Sequence, residues 1–254
     1  MPAPVPSHPA PLVEARDLAR RFGRRQALAD LTFDLHPGEA VALLGPNGSG
    51  KTTLLRILAG IIAPTDGSLA IAACDALTNS LNMRRHIAYL PERPALPPEM
   101  TVRSFLQFRA AIKGLDSVRA RSQVRVALQQ CRLEDHATAL IGTLSLGYQR
   151  RVGFADCLLA DPLLMLLDEP HAGLDWPTTQ ILRDWIAATA TTRTVLFSTH
   201  QLPEAVASAS RALILSRGRL AADLPLRRGR VHPSGESLSS AYARLTGLLP
   251  TFPA

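Results

Sequence analysis

Eight consecutive residues, Gly45-Pro46-Asn47-Gly48-Ser49-Gly50-Lys51-Thr52, fit the phosphate-loop pattern GxxxxGK[ST]. Glycines at these spacings let backbone N–H groups close around phosphate oxygens, and a helix starting at the loop's end adds positive potential there. Lys51 supplies a point charge for the terminal phosphates, the Thr52 hydroxyl suits Mg²⁺, and Thr53 continues the loop into the helix. A second candidate group is Asp168-Glu169, at the end of the apolar run Leu163–Leu167. A buried strand delivers such acids to the carboxyl edge of a sheet, where a phosphate loop also sits. Asp168 then suits the Mg²⁺ shell and Glu169 the polarisation of an attacking water. Two acids after a strand can also be ordinary helix-capping charges; the phosphate loop upstream favours the chemical reading. These two groups together imply a P-loop nucleotide hydrolase and nothing narrower.

The elements around them must place both groups on one edge. Strand-like runs lie around Val13, around Thr32–Leu35 and at Ala40–Leu44, with turn signals at His36-Pro37-Gly38-Glu39 between the last two. The phosphate loop follows directly, then a helix with Leu54, Leu55 and Leu58 on its apolar side. From Thr101 to about Cys131 the pattern is helical: Val102, Phe105 and Leu106 form one face, and Val124, Ala127, Leu128 and Cys131 share another. Buried parallel strands are expected at Leu163–Leu167, Thr194–Ser198 and Ala212–Leu215, and a helix at Leu238–Leu245. Strand–helix alternation at both ends implies an α/β fold with a parallel sheet covered by helices, interrupted by a helical insertion.

Four further segments narrow the family. Leu144-Ser145-Leu146-Gly147-Tyr148-Gln149 resembles the signature sequence of ATP-binding cassette (ABC) proteins, and Ala172-Gly173-Leu174-Asp175 resembles their D-loop. Ser198-Thr199-His200 ends a strand as the family's switch histidine does, and Arg21-Phe22-Gly23 resembles the loop whose aromatic ring stacks on adenine. All six segments stand in the family's order, between about Leu12 and Asp223. Two positions depart from the common signature: Leu146 stands for a glycine and Tyr148 for a glutamine. Glu92 stands where many relatives carry glutamine. The stretch Ile87-Ala88-Tyr89-Leu90-Pro91-Glu92, followed by Pro98-Glu99-Met100-Thr101-Val102, is similar to the ABC-2-type branch, mostly exporters.

The resemblance implies a P-loop NTPase (RecA-like) parallel core with a small antiparallel β subdomain and a helical signature subdomain at about 95–155. Residues 1–11 would form a flexible tail, 12–223 the ATPase domain and 224–254 a C-terminal extension. It implies ATP and Mg²⁺ as ligands, with Phe22 and 45–53 binding ATP, Thr52, Glu92 and Asp168 at the metal, and Lys51, Glu169 and His200 in catalysis. Ser145, Leu146, Gly147, Tyr148, Gln149 and Asp175 would act across a dimer, on the ATP of a second copy or of a related ATPase subunit. The implied partners are separate permease subunits, with the chain peripheral at the cytoplasmic face of the inner membrane.

Composition bounds the alternatives. In 254 residues, 46% are hydrophobic and 19% charged, which suits a globular chain. No apolar run reaches the roughly 18–20 residues needed to span a bilayer, and MPAPVPSHPAP lacks the charge and apolar stretch of a secretory signal. Cys74, Cys131 and Cys157 are scattered, with no CxxC pair, so neither a disulfide framework nor a zinc site is expected. The net charge of +7 is nearly all arginine. Its dispersal without interleaved aromatics argues against a nucleic-acid partner, and its densest cluster, Arg217 to Arg230, is expected away from the chemistry. A soluble cassette ATPase acting on ribosomes or DNA is the alternative. Against it, the chain has neither a second cassette nor a long coiled-coil insertion. A nucleotide-binding regulator without turnover is a third, opposed by the retention of Lys51, Glu169 and His200.

Overall fold

Alternating burial along the central strands shows how this chain closes its core. In β3 (Ala40–Leu44), Val41 and Leu43 face one hydrophobic cluster while Ala42 and Leu44 face another. The same alternation runs through β7 (Leu164–Leu167) and β8 (Thr194–Thr199). Successive side chains of a strand point to opposite faces, so strands apolar at every position must be covered on both sides. The computed structural model describes residues 10–226 and 238–247. In it these strands form a six-stranded sheet of order β10-β9-β3-β8-β7-β6, with β6 at Ile87–Leu90, β9 at Arg211–Ser216 and β10 at Arg219–Pro225. All neighbours are parallel except β10, which returns antiparallel on β9.

A second, antiparallel sheet of order β2-β1-β4-β5 joins β1 (Val13–Phe22), β2 (Arg25–Leu35), β4 (Asp66–Ile71) and β5 (Cys74–Asp75). It packs on helix α1 (Lys51–Leu58) through Leu18, Leu31, Leu54 and Leu58. Short helix α2 (Ser80–Arg85) leads into β6. The expected run from Thr101 to Cys131 is two helices, α3 (Val102–Ile112) and α4 (Ser117–Gln130). Gly114 breaks them apart in a left-handed conformation at φ +81°, and Asp116 restarts the helix by accepting the Val118 and Arg119 N–H groups at 3.0 and 2.9 Å. Helix α5 (Leu146–Leu158) is held against α3 by the paired Arg109–Asp156 contacts, both 3.0 Å. The remaining helices are α6 (Trp176–Thr189), α7 (Leu202–Ser208) and α8 (Leu238–Thr246).

Strand register sets the edge on which function can lie. Leu44 is level with Thr199, and Leu90 with Leu167. Residues 45, 91, 168 and 200 therefore leave the sheet together at its carboxyl edge. At the far side β10 runs to Pro225, two residues past the boundary expected at 223, and Tyr242 of α8 lies in the main core. Leu163, expected inside a buried strand, precedes β7 and is 43% exposed. The three thiols are free, and burial pushes that of Cys157 up to about 12. Among the described residues no helix is long and apolar enough to cross a membrane.

Candidate functional site

The phosphate loop folds as a cradle because side chains are excluded from it. A Cβ on Gly45 would lie 2.4 Å from the Leu215 carbonyl oxygen, and one on Gly50 2.6 Å from Leu28 Cδ2. Gly50 also holds φ +110°, a left-handed value that turns the loop into α1. Lys51 is buried, and its Nζ donates to the carbonyls of Gly45 at 2.8 Å and Pro46 at 3.3 Å. Beside it the Ser49 hydroxyl is buried and has no hydrogen-bond partner among the described residues. A buried hydroxyl left so is costly unless a ligand meets it.

The two acids after β7 behave differently. Asp168 is buried and locked: Ser198 Oγ donates to its Oδ1 at 2.7 Å, Thr52 Oγ1 to the same oxygen at 3.2 Å, and the Tyr89 hydroxyl to Oδ2 at 3.4 Å. Burial, then the Asp168 charge, raises the Tyr89 phenol above its ordinary value, so Tyr89 keeps its proton to donate. Glu169 turns away in a left-handed conformation at φ +45°, a strain of about 1–2 kcal/mol for a residue with a Cβ. Its N–H is tied to Ser198 Oγ at 2.8 Å. The turn sends the carboxylate between two partners, with Oε1 3.5 Å from Lys51 Nζ and Oε2 3.1 Å from His200 Nδ1. Phosphate-loop cation, acid and histidine thus form a continuous chain of contacts.

These groups open onto a cleft of about 530 Å³ lined by Phe22, Asn47, Gly48, Gly50, Lys51, Thr52, Thr53, Glu92 and Glu169. Phe22 stands 46% exposed at its rim with the Arg20 guanidinium 4.6 Å over the ring. Two cations that the sequence reading missed also line it, Arg25 and Arg217. Arg217 corrects the expectation that the cluster from Arg217 lies away from the chemistry; residues 227–230 of that cluster lie outside the described residues. The reason is the β9–β10 turn. Gly218 N donates to the Ser49 carbonyl at 2.9 Å, and its own carbonyl accepts Ala29 N–H at 2.8 Å. The turn is thereby pinned between phosphate loop and β2, with Arg217 facing the cleft.

The signature residues do not line this cleft. Ser145 caps α5, accepting Tyr148 N–H at 3.5 Å, and Gln149 Nε2 donates to the carbonyls of Ile141 and Leu144. Tyr148 is stacked on His136 at 4.1 Å, with Arg151 4.7 Å over its ring. Leu146 is 51% exposed, and Gly147 lies against Thr178. Asp175 caps α6 by accepting Thr178 N–H at 3.0 Å, and the Thr178 hydroxyl first, then this N–H, holds its carboxyl below the ordinary range.

The "ABC transporter" family profile matches residues 28–172. The chain belongs to the ABC transporter family. It is 35% identical over 214 residues to the SkfA peptide export ATP-binding protein SkfE of Bacillus subtilis (strain 168), covering 84% of this chain and 89% of that one. It is 37% identical over 243 residues to the aliphatic sulfonates import ATP-binding protein SsuB 1 of Pseudomonas fluorescens, covering 93% and 86%. The dimeric post-hydrolysis structure of the ATP-binding cassette MJ0796 bound to ADP and Pi superposes with a TM-score of 0.76 at 25% identity, covering 85% and 99%. This ABC subunit binds and hydrolyses ATP to power transport, working with membrane-embedded partners.

Proposed function

We propose that two copies close head to tail on two ATP molecules, each cleft facing the signature residues of the other copy, and so drive export through a separate permease. The observation that carries the reading is Glu169 held between Lys51 and His200 at the mouth of the cleft. Lys51 and the loop from Gly45 to Thr53 hold the phosphates, and Phe22 stacks on the base. Glu169 takes a proton from the attacking water, and His200 orients that carboxylate. Thr52 Oγ1 and Asp168 Oδ1, 3.2 Å apart, are two oxygens of the kind Mg²⁺ takes together with substrate phosphates, and Glu92 adds a third from the cleft wall. Among the described residues no group of three or more His, Cys, Asp or Glu could hold a metal. Two or three protein oxygens suit an ion that keeps its remaining ligand positions for phosphate and water. An Mg²⁺ held by Thr52, Asp168 and Glu92 would supply charge neutralisation at the phosphates.

Export rests on Glu92 and its flanking segment and on the likeness to SkfE; the likeness to SsuB 1 supports the opposite direction. The chain acts at the cytoplasmic face of the membrane, peripheral to the permease.

The test is Glu169→Gln, assayed for ATPase and for mass by light scattering. Turnover is expected to fall at least ~10²-fold, the scale of a lost general base, while Mg·ATP now holds a stable dimer. Unchanged turnover, or a dimer indifferent to ATP, would overturn the reading. Vesicles carrying the chain and its permease then give the direction.

A further inference from the structure

Arg150 is a buried cation that the mechanism above does not use. It lies on α5 and is 4% exposed, its Nε has no hydrogen-bond partner among the described residues, and no carboxylate approaches its nitrogens within ion-pair distance there. Burying a charge so incompletely satisfied is costly. Its guanidinium Nη1 donates to the carbonyl of Pro91, the residue just before Glu92, at 3.2 Å.

The surroundings explain why the side chain is held there. Arg150 and Gly153 are three residues apart, so they share one face of α5. At Gly153 a Cβ would lie 2.6 Å from Leu90 Cδ1 and 3.7 Å from Pro94 Cβ. Helix α5 is therefore pressed against the end of β6 and the loop that follows. The acids whose charges act on Arg150 are Glu92, which lines the cleft, and Asp168, which is buried beside Thr52. Burial lowers the guanidinium's proton affinity, but a guanidinium stays charged throughout the physiological range.

We propose that Arg150 is the positioning residue for Glu92: its charge offsets the added carboxylate at the cleft, and its bond to Pro91 fixes the peptide that carries Glu92. This rests on Glu92 acting at the Mg²⁺ site. The placement accounts for how an acid is tolerated beside Asp168 and Glu169, where like charges repel.

The experiment is a double-mutant cycle on kcat of the full chain, with thermal midpoints measured in parallel. Arg150→Met is expected to slow turnover about tenfold or more when Glu92 is present, and less than about threefold in the Glu92→Gln background. Arg150→Lys, which keeps the charge, is expected to cost less than about threefold. Equal losses from Arg150→Met in both backgrounds would make Arg150 a packing residue and overturn the proposal, as would a loss below twofold in both. Should Arg150→Met not fold, a tenfold loss in Arg150→Lys overturns it and a loss under threefold supports it. Glu92→Ala separates the two layers. Wild-type turnover there removes Glu92 from the mechanism and the proposal with it, whereas a slow Glu92→Ala beside equal Arg150→Met losses removes the proposal alone.

Discussion

At the scale of single residues, the cleft holds cations with different prospects. Lys51 is buried, bonded to two loop carbonyls and 3.5 Å from Glu169, so its charge is fixed inside the phosphate loop, whereas Arg25 and Arg217 stand on the cleft wall. Lys51→Ala is expected to abolish tight ATP binding and turnover together, measured by a fluorescent nucleotide and by phosphate release; wild-type turnover would remove the loop from the chemistry. Arg217 is exposed at the cleft wall and, among the described residues, carries no ion pair, whereas neighbouring Arg219 pairs with Asp30 and Arg211 with Glu39 and Asp223. A free guanidinium there suits the anionic nucleotide. Arg217→Ala is expected to weaken ATP and ADP binding alike, about fivefold, the size of an exposed charge contact near 1 kcal/mol. Added salt should shrink the difference between variant and wild type. Titration calorimetry with both nucleotides checks this, and an effect confined to ATP would put Arg217 at the terminal phosphate instead.

At the scale of elements, legibility in the sequence followed local chemistry. The phosphate loop, β3 and α1 could be read because turn glycines, an apolar strand and one-sided leucines are all consecutive. Val124, Ala127, Leu128 and Cys131 are buried together as their spacing implied. Helix α5 was not legible as an element. Val152, Phe154, Ala155, Cys157 and Leu158 are all buried, so it has no polar side to mark a period, and its apolar stretch runs on towards β7. Arg217 was not legible either, since its place depends on a turn docked against Ser49 and Ala29, far away in sequence. The same docking logic gives a test at Gly153. Leu90, the side chain a new Cβ would meet, is itself 2% exposed and cannot swing aside. Gly153→Val should therefore cost about 1–3 kcal/mol by overpacking, outweighing the few tenths gained by putting a β-branched residue in place of a helical glycine. For a chain of this size that is a drop in Tm of about 2–12 °C by calorimetry. An unchanged Tm would mean α5 can lift from β6 at little cost.

At the scale of the whole molecule, acid stability should report on the junction between the loop after β7, α6 and α7. Arg183 of α6 grips Glu204 of α7 through two bonds of 3.0 and 2.8 Å, and His171 lies 3.3 Å from the same carboxylate. Burial is the main cause that drives the His171 ring down from 6.5 to about 4, so the imidazole is neutral and Arg183 is the partner of Glu204. The unfolded chain then takes up a proton at a pH where the folded one does not. The stability tied to His171 is whole above about 6.5 and drains away between there and about 4, by on the order of 3 kcal/mol. In urea titrations across that window His171→Asn should flatten the slope; an unchanged slope would place the acid sensitivity elsewhere. The placement of the signature residues has one more consequence. Because Ser145 and Asp175 cap helices outside the chain's own cleft, a lone chain under the proposed mechanism carries the beginnings of two reaction centres and the whole of none. Its rate law would then be second order in protein at high dilution, so that halving the concentration quarters the output, until crowding onto a shared permease makes the encounter permanent.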